Sequence, residues 1–269
     1  MGLTVGLMIR DVSVGGAIGS AITTGEVSMV QHGKKIREAQ KKVDPDRQYL
    51  ADEAVTLLKE IAFAKFDESI EVHARLGIDP RQADQTVRST VILPHGTGKI
   101  VRVLVFAQGE ADRIARDAGA DYVGADDLVA QIQSGWLEFD AAVAMADMMG
   151  KVGGLGRILG RRGLMPNPRS GTVIRNAEDL PNALRDIKGG RVEFRNDRLG
   201  IVHTVIGRKS FSEEQIRENL YAFVDAIQRV KPSGVKGIYL RSLSITSTMA
   251  PGIALNIAQT VADSSSVVA

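Results

Sequence analysis

The sequence contains no cysteine, few aromatic residues and no long hydrophobic run. The absence of cysteine excludes structural disulfides, thiolate metal sites and cysteine nucleophiles, and it fits a reducing compartment, for which the cytoplasm is the default expectation. No apolar segment reaches the length of a membrane span, so no membrane partner is expected. Aromatic residues form only 4% of the chain, which argues against recognition by extensive aromatic stacking.

The net charge is also small, at +2 for 269 residues, but its distribution is uneven. Residues 95–186 hold 11 basic and 12 acidic side chains, whereas residues 29–94 and 187–269 together hold 22 basic and 18 acidic ones. Five basic residues crowd the beginning of this second set: Lys34, Lys35, Arg37, Lys41 and Lys42. This pattern indicates a basic arm that binds phosphates, or alternatively an ordinary solvated surface helix.

Residues 1–28 are weakly polar and rich in Gly, Val, Ser and Thr. They lack the basic beginning of a signal peptide, and Arg10-Asp11 interrupts the apolar start. A myristoylation signal would need Ser or Thr at the position of Gly6. We expect residues 1–28 to be a non-native or disordered N-terminal extension and the physiological start to be Met29.

The chain reads as two kinds of fold. Apolar spacing predicts a helix over 54–62, and strict alternation predicts a strand over 69–76, followed by a strand over 90–93. From Val101 to Lys188, short apolar strands alternate with helices, which is typical of a small parallel sheet covered on both faces.

After Gly190 the longer two-sided strands return. Segments 192–195 and 201–207 flank turn residues and predict a hairpin, while Ser212 and Gln215 form a capping box before an amphipathic helix. A strand over 237–248 slips in its alternation between Leu240 and Leu243, which indicates a bulge. The sequence therefore predicts an α/β protein with a discontinuous α+β outer domain, residues 29–94 plus 187–269, and an inserted Rossmann-like domain, residues 95–186.

No catalytic constellation is evident in the sequence. His32, His73, His95 and His203 are isolated, without metal-ligand spacing, and are expected to be surface or structural residues. The glycines of 154–160 do not directly follow a strand as a dinucleotide loop requires, and GTGK is too short for a phosphate-binding loop. We expect no cofactor, no metal and no small-molecule substrate; the alternative class is a small-molecule α/β enzyme.

The most specific segment is GRILGRRGLMPNPRSGTV, residues 156–173. Gly160 and Gly163 can take the positive φ that stops a helix, and Pro166 and Pro168 prevent it from resuming. Four arginines decorate this segment: Arg157, Arg161, Arg162 and Arg169. The pattern indicates a shaped surface rather than a simple connector.

This segment closely resembles the signature of the bacterial ribosomal protein L1 family, and three further blocks, over 58–99, 190–207 and 236–252, resemble that family's other blocks in the same order. The resemblance implies a two-domain, non-enzymatic constituent of the large ribosomal subunit, present as a monomer within the cytoplasmic ribosome. It also implies three RNA partners: large-subunit rRNA, exit-site tRNA released at a mobile stalk, and the mRNA of its own operon, which it would repress.

The resemblance implies that rRNA binds the outer domain through the KF-x-E and T-x-TM-x-x-G positions, which are Lys65, Phe66, Glu68, Thr246, Thr248, Met249 and Gly252. Phe66 is then an exposed contact, although an aromatic residue at the end of a helix is otherwise read as core. Ser244, Thr246 and Thr248 alternate onto one face, which is either an RNA contact or simply a wet strand face. Further rRNA contacts are expected at Lys34, Lys35, Arg37, Asn196, Asp197 and His203.

Arg161, Arg162 and Arg169 are expected to face tRNA. Two positions depart from the family pattern. Arg161 replaces the usual Pro and is expected to loosen the turn, and Ala250 replaces the usual Gly and puts a close RNA approach in doubt.

Overall fold

The computed structural model of the protein describes residues 33–268. The predicted N-terminal extension, residues 1–28, and the predicted start at Met29 lie outside these residues. No helix in the described part of the chain is both long and apolar enough to cross a membrane.

The described part of the chain begins with two helices and two strands. These are α1 (Lys34–Lys42), α2 (Ala51–Ile61), β1 (Ser69–Leu76) and β2 (Arg88–Ile92). The helix and both strands predicted here are present, and β1 has the predicted bounds. Its residues Ile70, Val72, Ala74 and Leu76 are buried, because alternate side chains of a strand point to the same face.

The middle of the chain has the predicted α/β wiring. Its elements are β3 (Val103–Phe106), α3 (Glu110–Asp117), β4 (Tyr122–Gly124), α4 (Asp126–Gln133), β5 (Ala141–Met145), α5 (Met149–Val152), α6 (Gly156–Arg162), β6 (Val173–Ile174) and α7 (Leu180–Lys188). The four strands form a parallel sheet in the order β4-β3-β5-β6. All four residues of β3 are buried, as expected for a parallel sheet covered on both faces.

The last part returns to antiparallel strands and longer helices. Its elements are β7 (Arg191–Arg195), β8 (Ile201–Arg208), α8 (Glu213–Arg229), β9 (Leu240–Ser247), β10 (Ile253–Ala254) and α9 (Ile257–Val268). Helix α8 begins at the predicted capping box: Ser212 accepts from the Gln215 backbone and the Gln215 side chain accepts from the Ser212 backbone. The predicted bulge is also present, since Arg75 lies opposite Ser242 but Leu76 lies opposite Leu240.

The main antiparallel sheet has the strand order β10-β9-β1-β8. One face is apolar and packs with α2 and α8, which contact each other and the sheet. The other face is mostly polar, with Ile201 and Val205 of β8 as its apolar members. Across the three longer strands it carries Glu71, His73 and Arg75 of β1, Ser244 and Thr246 of β9, and His203 of β8.

The predicted hairpin between β7 and β8 is wrong in its pairing. Strand β7 pairs along its whole length with β2 in a separate two-stranded sheet, whereas β8 pairs with β1. Only an isolated bridge, between Asn196 and Val202, joins the two predicted partners. The turn residues do reverse the chain, but each strand finds a longer ladder elsewhere.

Two hydrophobic clusters organise the described chain. The first, here called the antiparallel core, draws on residues 39–93 and 194–255, and the second, the parallel core, draws on residues 103–187. The predicted α/β fold class is thus confirmed. The exact domain boundaries, 29–94 plus 187–269 and 95–186, remain a prediction.

Candidate nucleic-acid interface

The loop between α2 and β1 presents an aromatic side chain to solvent. Phe66 is 54% exposed and Lys65 beside it is exposed as well. The following residue anchors the loop: the Asp67 carboxylate accepts from the backbone N–H and the hydroxyl of Ser210, each at 3.0 Å, and its backbone oxygen accepts from Arg208. These hydrogen bonds hold the loop in one conformation, and that conformation exposes the Phe66 side chain.

Glu68 lies beneath this surface rather than on it. Its side chain is fully buried, and its carboxylate accepts from the Ala64 N–H at 2.7 Å, the Ser247 hydroxyl at 2.6 Å and the Met249 N–H at 3.2 Å. The direct rRNA contact predicted at Glu68 stays a prediction, but in the free protein this carboxylate is covered and bonded inside the site. Glu68 ties the Phe66 loop to the turn between β9 and β10.

The turn after β9 exposes Met249, which is 48% accessible. The hydroxyls of the two threonines before it are already engaged: Thr246 donates to the Ala250 carbonyl at 3.0 Å, and Thr248 accepts from the Ser69 N–H at 3.0 Å. The Thr246 hydrogen bond stabilises the turn, and the Thr248 hydrogen bond connects the turn to the start of β1. The two hydroxyl oxygens keep only part of their capacity for an external partner.

Two small residues complete the turn. A Cβ added to Gly252 would meet no atom within 4 Å, so nothing inside the described protein requires glycine there. Ala250 is partly buried and packs against the antiparallel core. Its methyl group therefore contributes to packing.

The first turn of α1, which is basic, lies beside the turn that carries Met249. Lys34, Lys35 and Arg37 are exposed. The stretch 33–36 lines a shallow apolar groove together with Phe63 and Met249. Three separate segments thus meet in one surface, here called the Phe66 patch, which consists of Lys34, Lys35, Lys65, Phe66, Thr248, Met249 and Gly252.

Three of the predicted contacts lie elsewhere on the sheet. Asn196 accepts from the Val87 N–H at 2.7 Å and donates to the Asp197 carbonyl, so it is a structural joint. Asp197 accepts from the backbone N–H groups of Leu199 and Ile201, and these bonds hold its pKa below the usual value. Of the three, only His203 presents an exposed side chain.

His203 faces a second histidine, which the sequence did not reveal. The Nδ1 atoms of His73 and His203 are 2.8 Å apart across the β1–β8 ladder, where the two residues are direct partners. Burial, and then the neighbouring His203, lowers the pKa of His73. The residues are 130 positions apart, and only a correct β1–β8 pairing would have predicted their contact.

A basic depression near His203 was also missed. It is lined by Arg81, Arg88, Arg195, Arg198 and His203, together with Glu193 and Asp197. Arg88 is paired with Glu193. The remaining three arginines have no carboxylate within ion-pair distance among residues 33–268, so the depression carries excess positive charge.

The depression and the Phe66 patch lie toward opposite ends of β1. Phe66 and Met249 adjoin Ser69 at the start of the strand, whereas Asn196 and Asp197 adjoin the Ile201 end of β8, which pairs with Arg75. Six residues of extended strand separate the two ends by roughly 20 Å. The structure therefore does not bring all predicted outer contacts into one spot.

The arginines of the inserted part lie at the end of α6. Arg161 and Arg162 are exposed in its last turn, and Gly163 ends the helix in the left-handed conformation at φ 70°. The loosening expected from Arg161 is not seen, because the helix continues regularly through it. Gly160 stays helical, without the predicted positive φ. Arg169 is also exposed, and its backbone N–H is capped by the Asn167 side chain.

Comparison with known proteins finds a family profile described as "Ribosomal protein L1p/L10e family" that matches residues 58–251. The chain is 66% identical to the large ribosomal subunit protein uL1 of Thermomicrobium roseum over 233 residues, which cover 87% of this chain and 97% of that protein. It is 57% identical to the uL1 of Chloroflexus aggregans, with coverages of 85% and 97%. The uL1 of Thermus thermophilus is 53% identical, with coverages of 85% and 99%.

Proposed function

The chain belongs to the ribosomal protein L1p/L10e family, and from that premise we propose that it anchors itself to large-subunit rRNA through the Phe66 patch. Membership of this family makes it a structural, non-enzymatic constituent of the large ribosomal subunit, in the cytoplasm, with rRNA as its partner.

One observation carries the proposal for the patch. Two large apolar side chains, Phe66 and Met249, are about half exposed. Glu68 follows Phe66 by two residues, and its buried carboxylate accepts a hydrogen bond from the Met249 backbone, so the two exposed side chains are held on one surface. Exposed apolar groups on a surface fixed by buried bonds are typical of a contact site. The adjacent Lys34, Lys35 and Lys65 supply the positive charge that phosphates need.

The mode of recognition follows from the groups that are present. With a single large ring, the patch offers no stacking platform for a series of bases, so we expect it to read the shape of a folded RNA. Lysines would contact phosphates, while the Gly252 backbone and Met249 would lie against a ribose or a groove edge. The arginine depression near His203 provides a second basic contact surface for the same RNA.

We further propose that the inserted part contacts exit-site tRNA and assists its release at a mobile stalk. The exposed Arg161, Arg162 and Arg169 support this role, since they concentrate positive charge on a part of the chain that is otherwise near neutral. Replacing all three by Gln should slow release of deacylated tRNA from reconstituted ribosomes. The exposed Arg113 and Arg185, replaced by Gln, provide the control.

The third proposed role is repression of the chain's own operon. The same Phe66 patch would bind an mRNA element that mimics the rRNA site. A reporter carrying the operon leader should be repressed by the wild-type chain and released by Met249→Asp. Repression by this variant, if it no longer bound rRNA, would exclude a shared site.

A filter-binding titration of the full chain against large-subunit rRNA fragments tests the main proposal. Phe66→Ala and Met249→Asp should each weaken binding about tenfold or more, as expected at a central contact. Ile100→Asp is the matched control, because Ile100 is an exposed apolar residue away from the patch. Neutralising about six phosphates predicts a log-log salt slope of roughly −4 to −5. Wild-type affinity in both patch variants would overturn the assignment.

A further inference from the structure

The polar face of the main sheet carries a pair of histidines with converging nitrogen atoms. His73 and His203 are directly opposite each other on β1 and β8, with their Nδ1 atoms 2.8 Å apart. The two rings meet edge to face, with centroids 4.9 Å apart. In the absence of other ligands, one imidazole donates a hydrogen bond to the other.

We propose that His73 and His203 form a binding site for a divalent transition metal ion such as Zn²⁺. Neutral imidazole is a preferred ligand of Zn²⁺, Cu²⁺ and Ni²⁺. The two Nδ1 atoms already lie 2.8 Å apart, and both could bind one ion once the donor ring moves its proton to Nε2. The site is independent of RNA binding by the Phe66 patch, so either proposal can fail without the other.

The separation of the two Nδ1 atoms is close to the separation that a bound Zn²⁺ ion requires. Zn–N bonds of about 2.0–2.1 Å in a tetrahedral arrangement place two ligand nitrogens roughly 3.3 Å apart. The observed 2.8 Å needs a widening of about half an ångström. Such a shift is accessible to side chains, since the His203 side chain is 50% exposed on the solvent face of the sheet.

Asp197 supplies the outer partner that metal-bound histidines usually have. Its Oδ2 lies 3.5 Å from Nε2 of His203, while Oδ1 is held by the N–H groups of Leu199 and Ile201. A carboxylate at Nε2 keeps the proton on that nitrogen and leaves Nδ1 free to bind the metal. Asp197 is thus a positioning residue, fixed in place by the turn itself.

The protein provides two ligands to this ion. No group of three or more His, Asp or Glu side chains with metal-binding geometry occurs between residues 33 and 268. Two coordination positions therefore stay open to water or to a phosphate oxygen, as in sites that exchange ligands. The arginine depression, which His203 also lines, brings such phosphates close to the open positions.

Calorimetric titration of the full chain with Zn²⁺ in a non-coordinating buffer at pH 7.5 tests the site. The wild-type chain should bind one ion at this pair, and His203→Gln and His73→Gln should each weaken that event at least tenfold. Asp197→Asn keeps an acceptor for the turn but loses the carboxylate, and should weaken binding about 10- to 100-fold. His95→Gln is the control, because His95 pairs with Glu218 away from the site.

Far-ultraviolet circular dichroism on each variant separates loss of the site from loss of the fold. A folded His203→Gln variant with unchanged Zn²⁺ affinity would overturn the proposal, as would a wild-type chain that takes up no Zn²⁺. A His32→Gln variant should bind as the wild type does. Loss of binding in that variant alone would assign the ion to another site and refute this one.

Discussion

At the scale of single residues, the polar groups of the Phe66 patch build the surface and the apolar groups remain free on it. The side chains of Glu68, Thr246 and Thr248 all form hydrogen bonds with backbone atoms of the loop and the turn. The side chains of Phe66 and Met249 form no such bonds and are about half exposed. A sequence motif does not distinguish residues that build the surface from residues that are exposed on it, because both kinds are needed for the site to keep its shape.

Glu68→Gln tests this division. The amide nitrogen would face one of three donors that now point at the carboxylate, so at least one buried N–H or O–H would lose its acceptor. We expect a loss of about 1–3 kcal/mol in the free energy of unfolding and weaker rRNA binding. Urea unfolding and filter binding measure the two effects, and Phe66→Ala should reproduce only the second.

Gly252 offers a complementary test. Since an added Cβ meets no protein atom within 4 Å, Gly252→Ala should leave the free energy of unfolding within about 0.5 kcal/mol of wild type. If RNA approaches the backbone at this turn, the methyl group weakens binding. Gly154→Ala is the matched control, because its Cβ also meets open space, in the inserted part. Equal RNA affinity in both variants would remove Gly252 from the contact surface.

At the scale of helices and strands, sequence patterns predicted the features that depend on neighbouring residues in the chain. The alternation of β1, the capping box of α8 and the α/β succession of the middle segment were all recoverable from sequence. The pairing of β7 was not, because the preference for β2 depends on a strand about 100 residues earlier. The His73–His203 contact and the arginine depression escaped detection for the same reason, since each needs the correct ladder first.

The α8 capping box predicts a stability effect without a functional one. Ser212→Ala removes the acceptor for the Gln215 N–H and leaves a helix-end donor unsatisfied. The expected cost is about 1 kcal/mol, seen as a lower Tm, with rRNA affinity unchanged. Ser265→Ala in α9, an exposed position inside a helix, should not lower the Tm. A drop in RNA affinity for Ser212→Ala at a temperature where it is fully folded would contradict this assignment.

At the scale of the whole molecule, the chain crosses twice between the two hydrophobic cores, and polar side chains lie at each crossing. At the first crossing, Asp140 on the parallel core accepts from Lys99 and Arg102, and mainly the Lys99 bond lowers its pKa to about 2. At the second, Arg191 of β7 packs against Gly171 of the loop after α6. The glycine- and proline-rich signature segment therefore forms part of the junction, which its sequence alone did not indicate.

The Asp140 cluster makes stability depend on acid pH. A carboxyl whose pKa is lower in the folded than in the unfolded chain contributes stability above its unfolded pKa near 3.8, and loses it as pH falls toward about 2. Asp140→Asn should therefore cost about 1 kcal/mol at pH 7 and only about a third of that at pH 2.5, since the folded carboxyl is fully protonated only below a pH of about 2. Chemical unfolding at several pH values measures the difference. A gap that stays constant with pH would exclude the ion pair as its cause.

Gly171 lies directly against the Arg191 side chain. Its backbone is left-handed, at φ 67°, and an added Cβ would lie 2.6 Å from Nη2 of Arg191, whose Nε is buried without a hydrogen-bond partner among the described residues. Gly171→Ala must therefore displace the guanidinium from the junction, which should separate the cores and raise the radius of gyration in small-angle X-ray scattering.

Gly163→Ala separates this effect from simple backbone strain. Gly163 has nearly the same left-handed φ, 70°, but an added Cβ there meets no atom within 4 Å. Both variants should lose about 1 kcal/mol of stability through the strained φ. Only Gly171→Ala should change the scattering, because only there does the new methyl group meet a side chain from the other core. An equal increase in the radius of gyration of both variants would show that backbone strain in the loop causes the expansion, and that displacement of Arg191 does not.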